Sequence, residues 1–415
     1  MFALAFPVFL LAMIIEAVVM RKRGLPGYDM PDALTSMTLG GLSLIAGTFS
    51  RLFGFGLLVL AQQKLGVAIW PTDIAIYLVA LLWLLAIIFH DFSYYWVHRF
   101  SHEINILWAA HSVHHSSEHF NLSTALRQSS TTGFFSWIVF APMAILGVPP
   151  IMMATVALID SLYQYWVHTE QIGRLGWMEK IFVTPSNHRV HHSQNDYCID
   201  TNYGGIFIIW DRMFGTFADE RQNEKLVYGI RKAVRSYNPI SANLYLYREL
   251  FRQAARTPGW RQKIQLWLSP PGGWDNEMTE PFDAAGFVRY GHQTSSGVLS
   301  YVVVHTAAMS FMVAHWLLVQ TDLTPAMRVS YAAAILVSGV SIAGFLQGSG
   351  WRFQLEAIRL TALIVAMVAG LFGFGATIWS LAIAPILAGL VYCLVWVLRE
   401  MRSETEAATT AVPAE

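Results

Sequence analysis

Three short motifs place histidines at helical spacing in a chain that is otherwise strongly apolar. They are H-x3-H at His98–His102, H-x2-H-H at His111–His115 and H-x2-H-H at His188–His192. Residues three and four positions apart share one helical face, so each H-x2-H-H motif predicts a patch of three imidazoles. The eight motif histidines are His98, His102, His111, His114, His115, His188, His191 and His192. Eight imidazoles are too many for one tetrahedral ion and suit two first-row metals, including iron.

The remaining histidines follow no such spacing. His119 lies outside the three motifs, although it follows His115 by four residues. Position alone leaves the role of His168 open, because it ends an apolar run, twenty residues before His188. The others are interpreted as packing residues: His90, His292, His305 and His315.

The composition indicates which elements must position these motifs. Of 415 residues, 55% are hydrophobic and 13% charged, whereas a soluble domain has about 25% charged residues. The net charge is zero, which gives no case for nucleic-acid binding. Cys198 and Cys393 form no CxxC pair, so neither a disulfide framework nor a zinc ribbon is expected. The chain is predicted to be a multi-pass membrane protein.

Nine apolar runs are long enough, or nearly so, to cross a bilayer, which takes about 20 residues. The fourth and fifth are short and meet at Gly147–Pro150, so they form either a tight spanning hairpin or a re-entrant one. The predicted fold class is therefore all-α, with about nine apolar helices, two of them possible re-entrant segments. The runs are Phe2–Met20, Ser36–Leu60, Asp73–Ser93, Thr131–Gly147, Pro150–Val167, Leu299–Val319, Met327–Leu346, Leu355–Phe372 and Ala376–Leu398.

Basic residues predict the orientation of these runs. Arg21–Arg23 directly follow the first run, which has no positive residue before it. This places the N-terminus outside, and alternation then places all three motifs and the C-terminus in the cytoplasm. Arg352, Arg399 and Arg402 agree with that orientation. The second H-x2-H-H is expected on a helix that Thr184 and Pro185 begin.

The motifs and their flanking segments resemble the fatty acid hydroxylase and sterol desaturase superfamily of membrane di-iron oxygenases. Within it, the resemblance is closest to the alkylglycerol monooxygenases. It covers about residues 90–217, and the later helices share only length and hydrophobicity. The segments that carry it are DFSYYWVHR, HEINILWAAHSVHHSSEHFNLSTALRQS, YQYWVHTE, TPSNHRVHH and YCIDTNYGGIFIIWDRMFGTF.

The resemblance implies a di-iron centre held by the eight motif histidines, with His168 as a further ligand. It also implies tetrahydrobiopterin as electron donor, although no pterin-contacting residue can be assigned. Molecular oxygen and an O-alkylglycerol lipid would be the substrates. Hydroxylation of the carbon next to the ether oxygen would give a hemiacetal, which breaks down to a fatty aldehyde and a glycerol derivative.

Three carboxylates lie close to the motifs in sequence and could orient imidazole N–H groups. Asp91 precedes His98 by seven residues and shares nearly the same helical face. Glu103 and Glu170 lie beside His102 and just after His168. Ordinary surface charge or helix capping is the alternative, and a carboxylate could also bridge the irons.

The chain is expected to divide into five regions. Residues 1–72 are N-terminal transmembrane helices, 73–217 the hydroxylase-like catalytic region, and 218–297 a polar cytoplasmic segment. Residues 298–402 are C-terminal transmembrane helices, and 403–415 a disordered tail. Leu244–Arg256 mixes apolar and basic residues at helical spacing. It is either a helix packed on the protein or a surface helix against anionic head groups.

Rival functions remain within and outside the superfamily. A sterol or fatty-acyl hydroxylase or desaturase would use the same metal site with another donor. A non-enzymatic metal-binding protein such as a transporter would place its ligands at mid-bilayer depth, whereas these histidines follow the ends of apolar runs. A zinc protease is disfavoured because no motif reads HExxH. Protein partners and the oligomeric state are left open.

Overall fold

A computed structural model describes residues 2–67, 70, 76–272, 280–374 and 379–410. Within that part of the chain the regular structure is helical, apart from two isolated β-bridges, so the predicted all-α class is confirmed. In chain order the α-helices are α1 Phe2–Lys22, α2 Met30–Leu65, α3 Ile76–Glu103, α4 Asn105–His115, α5 Trp137–Ile145, α6 Pro150–Trp166, α7 Pro185–His191, α8 Ile209–Phe214, α9 Pro239–Arg256, α10 Trp260–Leu268, α11 Ser296–Val319, α12 Pro325–Leu346, α13 Arg352–Phe374 and α14 Trp379–Thr410.

Four helices in the described ranges are long and apolar enough to cross a membrane. They are α2, the Leu78–Glu103 part of α3, α11 and α12. These helices identify a membrane protein, whereas the count of nine spans and the cytoplasmic orientation stay predictions.

The fourth apolar run, for which either a spanning or a re-entrant form is predicted, contains only a short helix. Thr131–Gly147 folds as a short 3-10 turn at Thr132–Phe134 followed by the nine-residue α5. At 1.5 Å per residue, α5 is about 14 Å long, too short to cross a hydrocarbon core of about 30 Å. The hydropathy of this run reflects its content of apolar residues and does not indicate that α5 begins only at Trp137.

The C-terminal tail differs from its predicted disorder. Helix α14 continues through Ser403 to Thr410, because the glutamates and alanines of this stretch favour helix. Residues 411–415 lie outside the described residues. So do the predicted boundary at residues 72 and 73 and the first residues of the runs at 73–93 and 376–398.

The described chain divides into two compact units. One comprises Met1–Gly291 with Val313–Leu318, and the other comprises His292–Met312 with Val319–Glu415. All motif histidines belong to the first unit. The second unit contains a buried ionic cluster, in which Arg359 Nη2 donates to His305 Nδ1 at 2.8 Å and pairs with Glu356. This pairing supports the structural interpretation of His305.

Helix α9 supports the motif-bearing helix α4 from one side. Leu246, Leu250 and Ala254 of α9 are buried against Ala109 of α4. Burial of each leucine contributes roughly 2 kcal/mol. The interpretation of Leu244–Arg256 as a packed helix is therefore confirmed for this face.

Helix α7 begins where the sequence predicts. Pro185 occupies its first position and Thr184 precedes it as the N-cap. The Asn187 carboxamide oxygen accepts from the Thr184 backbone N–H at 3.1 Å. This local closure lets seven residues form a helix that presents its histidines inward.

Candidate metal centre

All nine predicted ligand histidines converge in two groups of ring nitrogens. In each group, one ring nitrogen from every member lies within 4.8 Å of the others. The five-histidine group is His98, His102, His111, His115 and His191, and the four-histidine group is His114, His168, His188 and His192. His168, whose role as a ligand its sequence position left open, thus lies beside the motif histidines.

The three imidazoles of each H-x2-H-H motif neighbour one another, as expected, but they divide between the two groups. On α4, His111 and His115 belong to the five-histidine group, while His114 belongs to the other. On α7 the assignment is reversed, with His191 in the five-histidine group. Positions i and i+4 are 40° apart around a helix, but i+3 and i+4 are 100° apart. Each motif therefore lies between the groups and contributes to both.

The imidazole nitrogens approach one another more closely than packing alone requires. His98 Nε2 lies 3.0 Å from His111 Nε2, and His188 Nε2 lies 3.0 Å from His168 Nε2. The Nε2 atoms of His102 and His191 are buried without a hydrogen-bond partner. Buried polar atoms without partners need an explanation, and a bound metal ion would satisfy these. The donor set therefore fits a centre of two metal ions.

Backbone carbonyls fix the tautomer of four of the histidines. A carbonyl oxygen only accepts, so each Nδ1 carries the proton and each Nε2 keeps its lone pair for a metal. His98 Nδ1–H donates to the Tyr203 carbonyl at 2.8 Å, and His114 Nδ1–H donates to the Arg127 carbonyl at 2.9 Å. His168 Nδ1–H donates to the Gln164 carbonyl at 2.7 Å, and His191 Nδ1–H donates to the Thr201 carbonyl at 2.8 Å.

Burial keeps these imidazoles neutral. It lowers the pKa of His114 to about 4, of His191 to about 3, and of His111 well below its usual value. Metal binding requires unprotonated imidazole. These histidines can therefore bind a metal at neutral pH without first releasing a proton.

The three predicted carboxylates contact other partners. Asp91 accepts from the backbone N–H of Ile206 at 2.6 Å and of Phe207 at 3.1 Å, and from Trp210 Nε1 at 2.8 Å. It is completely buried. It therefore anchors the segment that follows the Tyr203 carbonyl, and its effect on His98 is indirect.

Glu103 and Glu170 also meet partners other than histidine. Glu103 pairs with Arg99 on the next turn of α3, at 2.8 Å. Glu170 accepts from the Tyr228 hydroxyl at 2.8 Å, and the Tyr228 ring stacks on Phe120 at 4.9 Å. In the described part of the chain, neither carboxylate hydrogen-bonds an imidazole.

Other aspartates, which sequence reasoning missed, lie closer to the site. Asp200 Oδ1 is 3.7 Å from His102 Nδ1. Asp211 accepts from the backbone N–H of Tyr203 at 2.7 Å and of Gly204 at 2.8 Å, which fixes the carbonyl that meets His98. Both aspartates lie within YCIDTNYGGIFIIWDRMFGTF, a segment that carries the family resemblance. That position was the signal in the sequence that could have identified them.

Two clefts lie in this part of the protein, and the first of them opens onto the centre. One, of about 700 Å³ including open solvent space, exposes part of the five-histidine group beside polar residues; its lining includes His102, His191, Asp200, Arg231 and Lys232. The other is a narrower, mainly apolar crevice of about 320 Å³ between α3, α4 and the start of α5; its lining includes Val97, Phe100, Leu107, Ala110, Phe135 and Val139.

Comparisons with known proteins agree with this site. Residues 83–216 match the family model of fatty acid hydroxylases. An alkylglycerol monooxygenase of Danio rerio is 33% identical over 412 residues, covering 97% of this chain and 90% of that protein. The human alkylglycerol monooxygenase is 41% identical over 269 residues, covering 65% of this chain and 59% of that protein.

A more distant relative carries a different name. An ornithine lipid hydroxylase of Rhizobium tropici is 30% identical over 188 residues, 45% of this chain and 56% of that protein. No solved structure matches the chain. The chain belongs to the fatty acid hydroxylase superfamily and, within it, to the alkylglycerol monooxygenase family.

Proposed function

We propose that this protein is a membrane monooxygenase that hydroxylates the carbon next to the ether oxygen of an alkylglycerol lipid. One oxygen atom of O2 enters the C–H bond and the other leaves as water, with two electrons and two protons from the donor. The resulting hemiacetal breaks down to a fatty aldehyde and a glycerol derivative. The convergence of nine histidines in two groups, eight of them buried and His111 partly buried, in a chain of this family, is the observation that carries the proposal.

The five-histidine and four-histidine groups would each hold one iron ion. Bound iron would supply oxygen activation and accept electrons one at a time. The protein's own contribution is orientation, because the carbonyls at Arg127, Gln164, Thr201 and Tyr203 hold Nδ1 protons and aim the opposite nitrogens inward. Burial of the rings also excludes bulk water from most of the centre.

The two clefts suggest separate places for the apolar and polar reactants. The crevice lined by Val97 and Ala110 fits an alkyl chain because its lining is mainly apolar. The polar cleft beside Asp200 opens onto the five-histidine group, and we propose that the electron donor binds there. We propose tetrahydrobiopterin as the donor from the family resemblance, and we place the centre on the cytoplasmic side.

Product analysis tests the activity. Purified, iron-loaded protein is incubated with a 1-O-alkylglycerol, oxygen and tetrahydrobiopterin, and fatty aldehyde is measured. Formation of aldehyde that requires all three additions supports the proposal. An acylglycerol of equal chain length is the matched control, because its ester lacks the activated ether methylene. Hydroxylation of the acyl chain or of a sterol, without aldehyde from the ether, would favour the rival lipid hydroxylase, for which the ornithine lipid hydroxylase is a precedent.

A further inference from the structure

Helices α9 and α10 leave a continuous apolar surface uncovered within the first compact unit. Phe251 on α9 is 65% exposed and Trp260 on α10 is 68% exposed. The rings of Phe251 and Trp267 meet edge to face at 4.8 Å, which joins the two helices. Leu244, Ile264 and Leu268 extend the surface. Large contiguous apolar patches of this kind mark sites of interaction.

Basic residues border this surface along one side. At 100° per residue, Leu244 and Phe251 lie on one flank of the exposed side of α9. Arg248, Arg252 and Arg256 lie on the other flank. From Pro239 to Leu268 there are five basic residues and one acidic residue, Glu249, so the surface is complementary to an anionic partner.

Neighbouring contacts place α9 where apolar runs begin. Ala242 shares a buried cluster with Leu39, three residues into the second apolar run. The Tyr247 hydroxyl lies 3.1 Å from Thr131 Oγ1, at the start of the fourth run. The apolar flank of α9 is therefore close to the level at which hydrocarbon meets the head groups.

Helix α10 is hydrogen-bonded to a residue that follows the end of α3, a helix long enough to span the membrane. The Asn105 backbone N–H, just beyond the end of α3, donates to the Ser269 carbonyl at 3.0 Å. The Asn105 side-chain Nδ2 donates to the Leu266 carbonyl at 2.8 Å. These two hydrogen bonds of Asn105, together with the contacts of α9, hold the α9–α10 surface near the ends of membrane segments.

We infer that the α9–α10 surface lies in the interface of the same bilayer and binds anionic lipid. Its apolar side chains enter the boundary between acyl chains and head groups, and its arginines contact phosphate groups. Tryptophan is favoured at this depth because its ring is amphipathic. Since the opposite face of α9 packs on α4, the contact would hold the histidine-bearing helix at a fixed depth.

Depth-dependent quenching tests the apolar contact in the full-length protein. Ile264→Cys and Gln262→Cys are each labelled with an environment-sensitive fluorophore, and labelled wild type corrects for native cysteines. Both positions are exposed, but two residues turn α10 by about 200°, so they face opposite sides. In nanodiscs with a lipid-attached quencher, we expect several-fold stronger quenching at 264 than at 262. Equal quenching, or disulfide cross-linking between two copies of the unlabelled Ile264→Cys variant, would overturn the inference.

Lipid charge tests the basic flank. The nanodiscs contain phosphatidylcholine alone, or phosphatidylcholine and phosphatidylglycerol in equal parts. Phosphatidylglycerol should increase the quenching of the label at position 264, because the label lies deeper in the bilayer. Replacing Arg248, Arg252 and Arg256 with Gln should remove that increase in quenching. The matched variant with Lys at the three positions keeps the charge and should retain it. An undiminished response in the Gln variant contradicts anionic-lipid binding, whatever the enzymatic assay shows.

Discussion

Arg127 and Asp32 form a buried ion pair beside the four-histidine group, with Nη2 and Oδ1 2.6 Å apart. The backbone carbonyl of Arg127 accepts from His114 Nδ1 at 2.9 Å. Asp32 lies in the first turn of α2 and also accepts from the Ser117 hydroxyl at 2.6 Å. A carboxylate on α2 therefore determines where a main-chain acceptor meets a candidate ligand.

Asp32→Asn should destabilise both the fold and the metal site. It leaves the Arg127 guanidinium buried without its charged partner, which typically costs about 3–5 kcal/mol. We expect a lower thermal unfolding midpoint and less bound iron, measured by scanning calorimetry and elemental analysis. Asp219→Asn is the matched control, because its ion pair with Arg174 is exposed. An unchanged midpoint in Asp32→Asn would show that the buried pair contributes little.

His191→Ala should lose iron and activity, whereas His119→Ala should retain both. His191 belongs to the five-histidine group and is buried. His119 lies outside both groups, with its Nε2 3.9 Å from Asp29 Oδ2. Iron stoichiometry and aldehyde formation distinguish the two variants. Equal loss of iron from both would show that the centre extends further along the chain than the nine histidines.

Asp91→Asn should act mainly on stability. An amide oxygen cannot replace both carboxylate oxygens, so at least one buried donor among Ile206, Phe207 and Trp210 loses its acceptor. Such a loss costs about 1–3 kcal/mol. We expect a lower unfolding midpoint, reduced turnover, and iron content close to that of wild type. Complete loss of iron at an unchanged midpoint would instead indicate a direct role beside the metal.

Removing metal should destabilise the intact protein. A ligand that binds only the folded state stabilises it in proportion to the logarithm of ligand concentration over dissociation constant. Protein expressed with iron should contain close to two iron ions per chain by elemental analysis. Chelation should lower the unfolding midpoint, and Fe(II) should restore it. A single ion in fully active protein would contradict assignment of one iron to each group.

A reporter fused after Glu415 should give a cytoplasmic signal. The positive-inside rule places Arg21–Arg23 in the cytoplasm, and alternation of the predicted spans returns the C-terminus to that side. Paired reporters that are active only in the cytoplasm or only outside it would measure this directly. The same pair fused after Arg23 checks the first step. An external signal after Glu415 would reverse the proposed orientation.

The histidines could be found from sequence because metal ligands on short helices must recur at three and four residues. The sequence could not show that His111 and His114 serve different groups, since that depends on how α3, α7 and the end of α6 surround α4. The acceptors for Nδ1 were also hidden. Tyr203 is 105 residues from His98, and it contributes a main-chain oxygen that leaves no signature in residue type.

The all-α class followed from composition, but the length of α5 did not. Most residues of Thr131–Gly147 are apolar, yet the chain makes a 3-10 turn before Trp137. Likewise, searching for carboxylates near the motifs led to Asp91, Glu103 and Glu170. Asp200 and Asp211 reach the site only because the segment after α7 folds back onto α3.

The main-chain acceptors determine how the centre can tolerate change during evolution. Every amino acid supplies a carbonyl, so replacement of the Thr201 or Gln164 side chain leaves the acceptor available wherever the backbone keeps its path. Insertions and deletions have the opposite effect. One residue added between Cys198 and Thr201 would shift both the Thr201 and the Tyr203 carbonyls, and so misalign His191 and His98 together. Sequence drift at these positions is therefore compatible with a constant site, whereas a change in loop length is not.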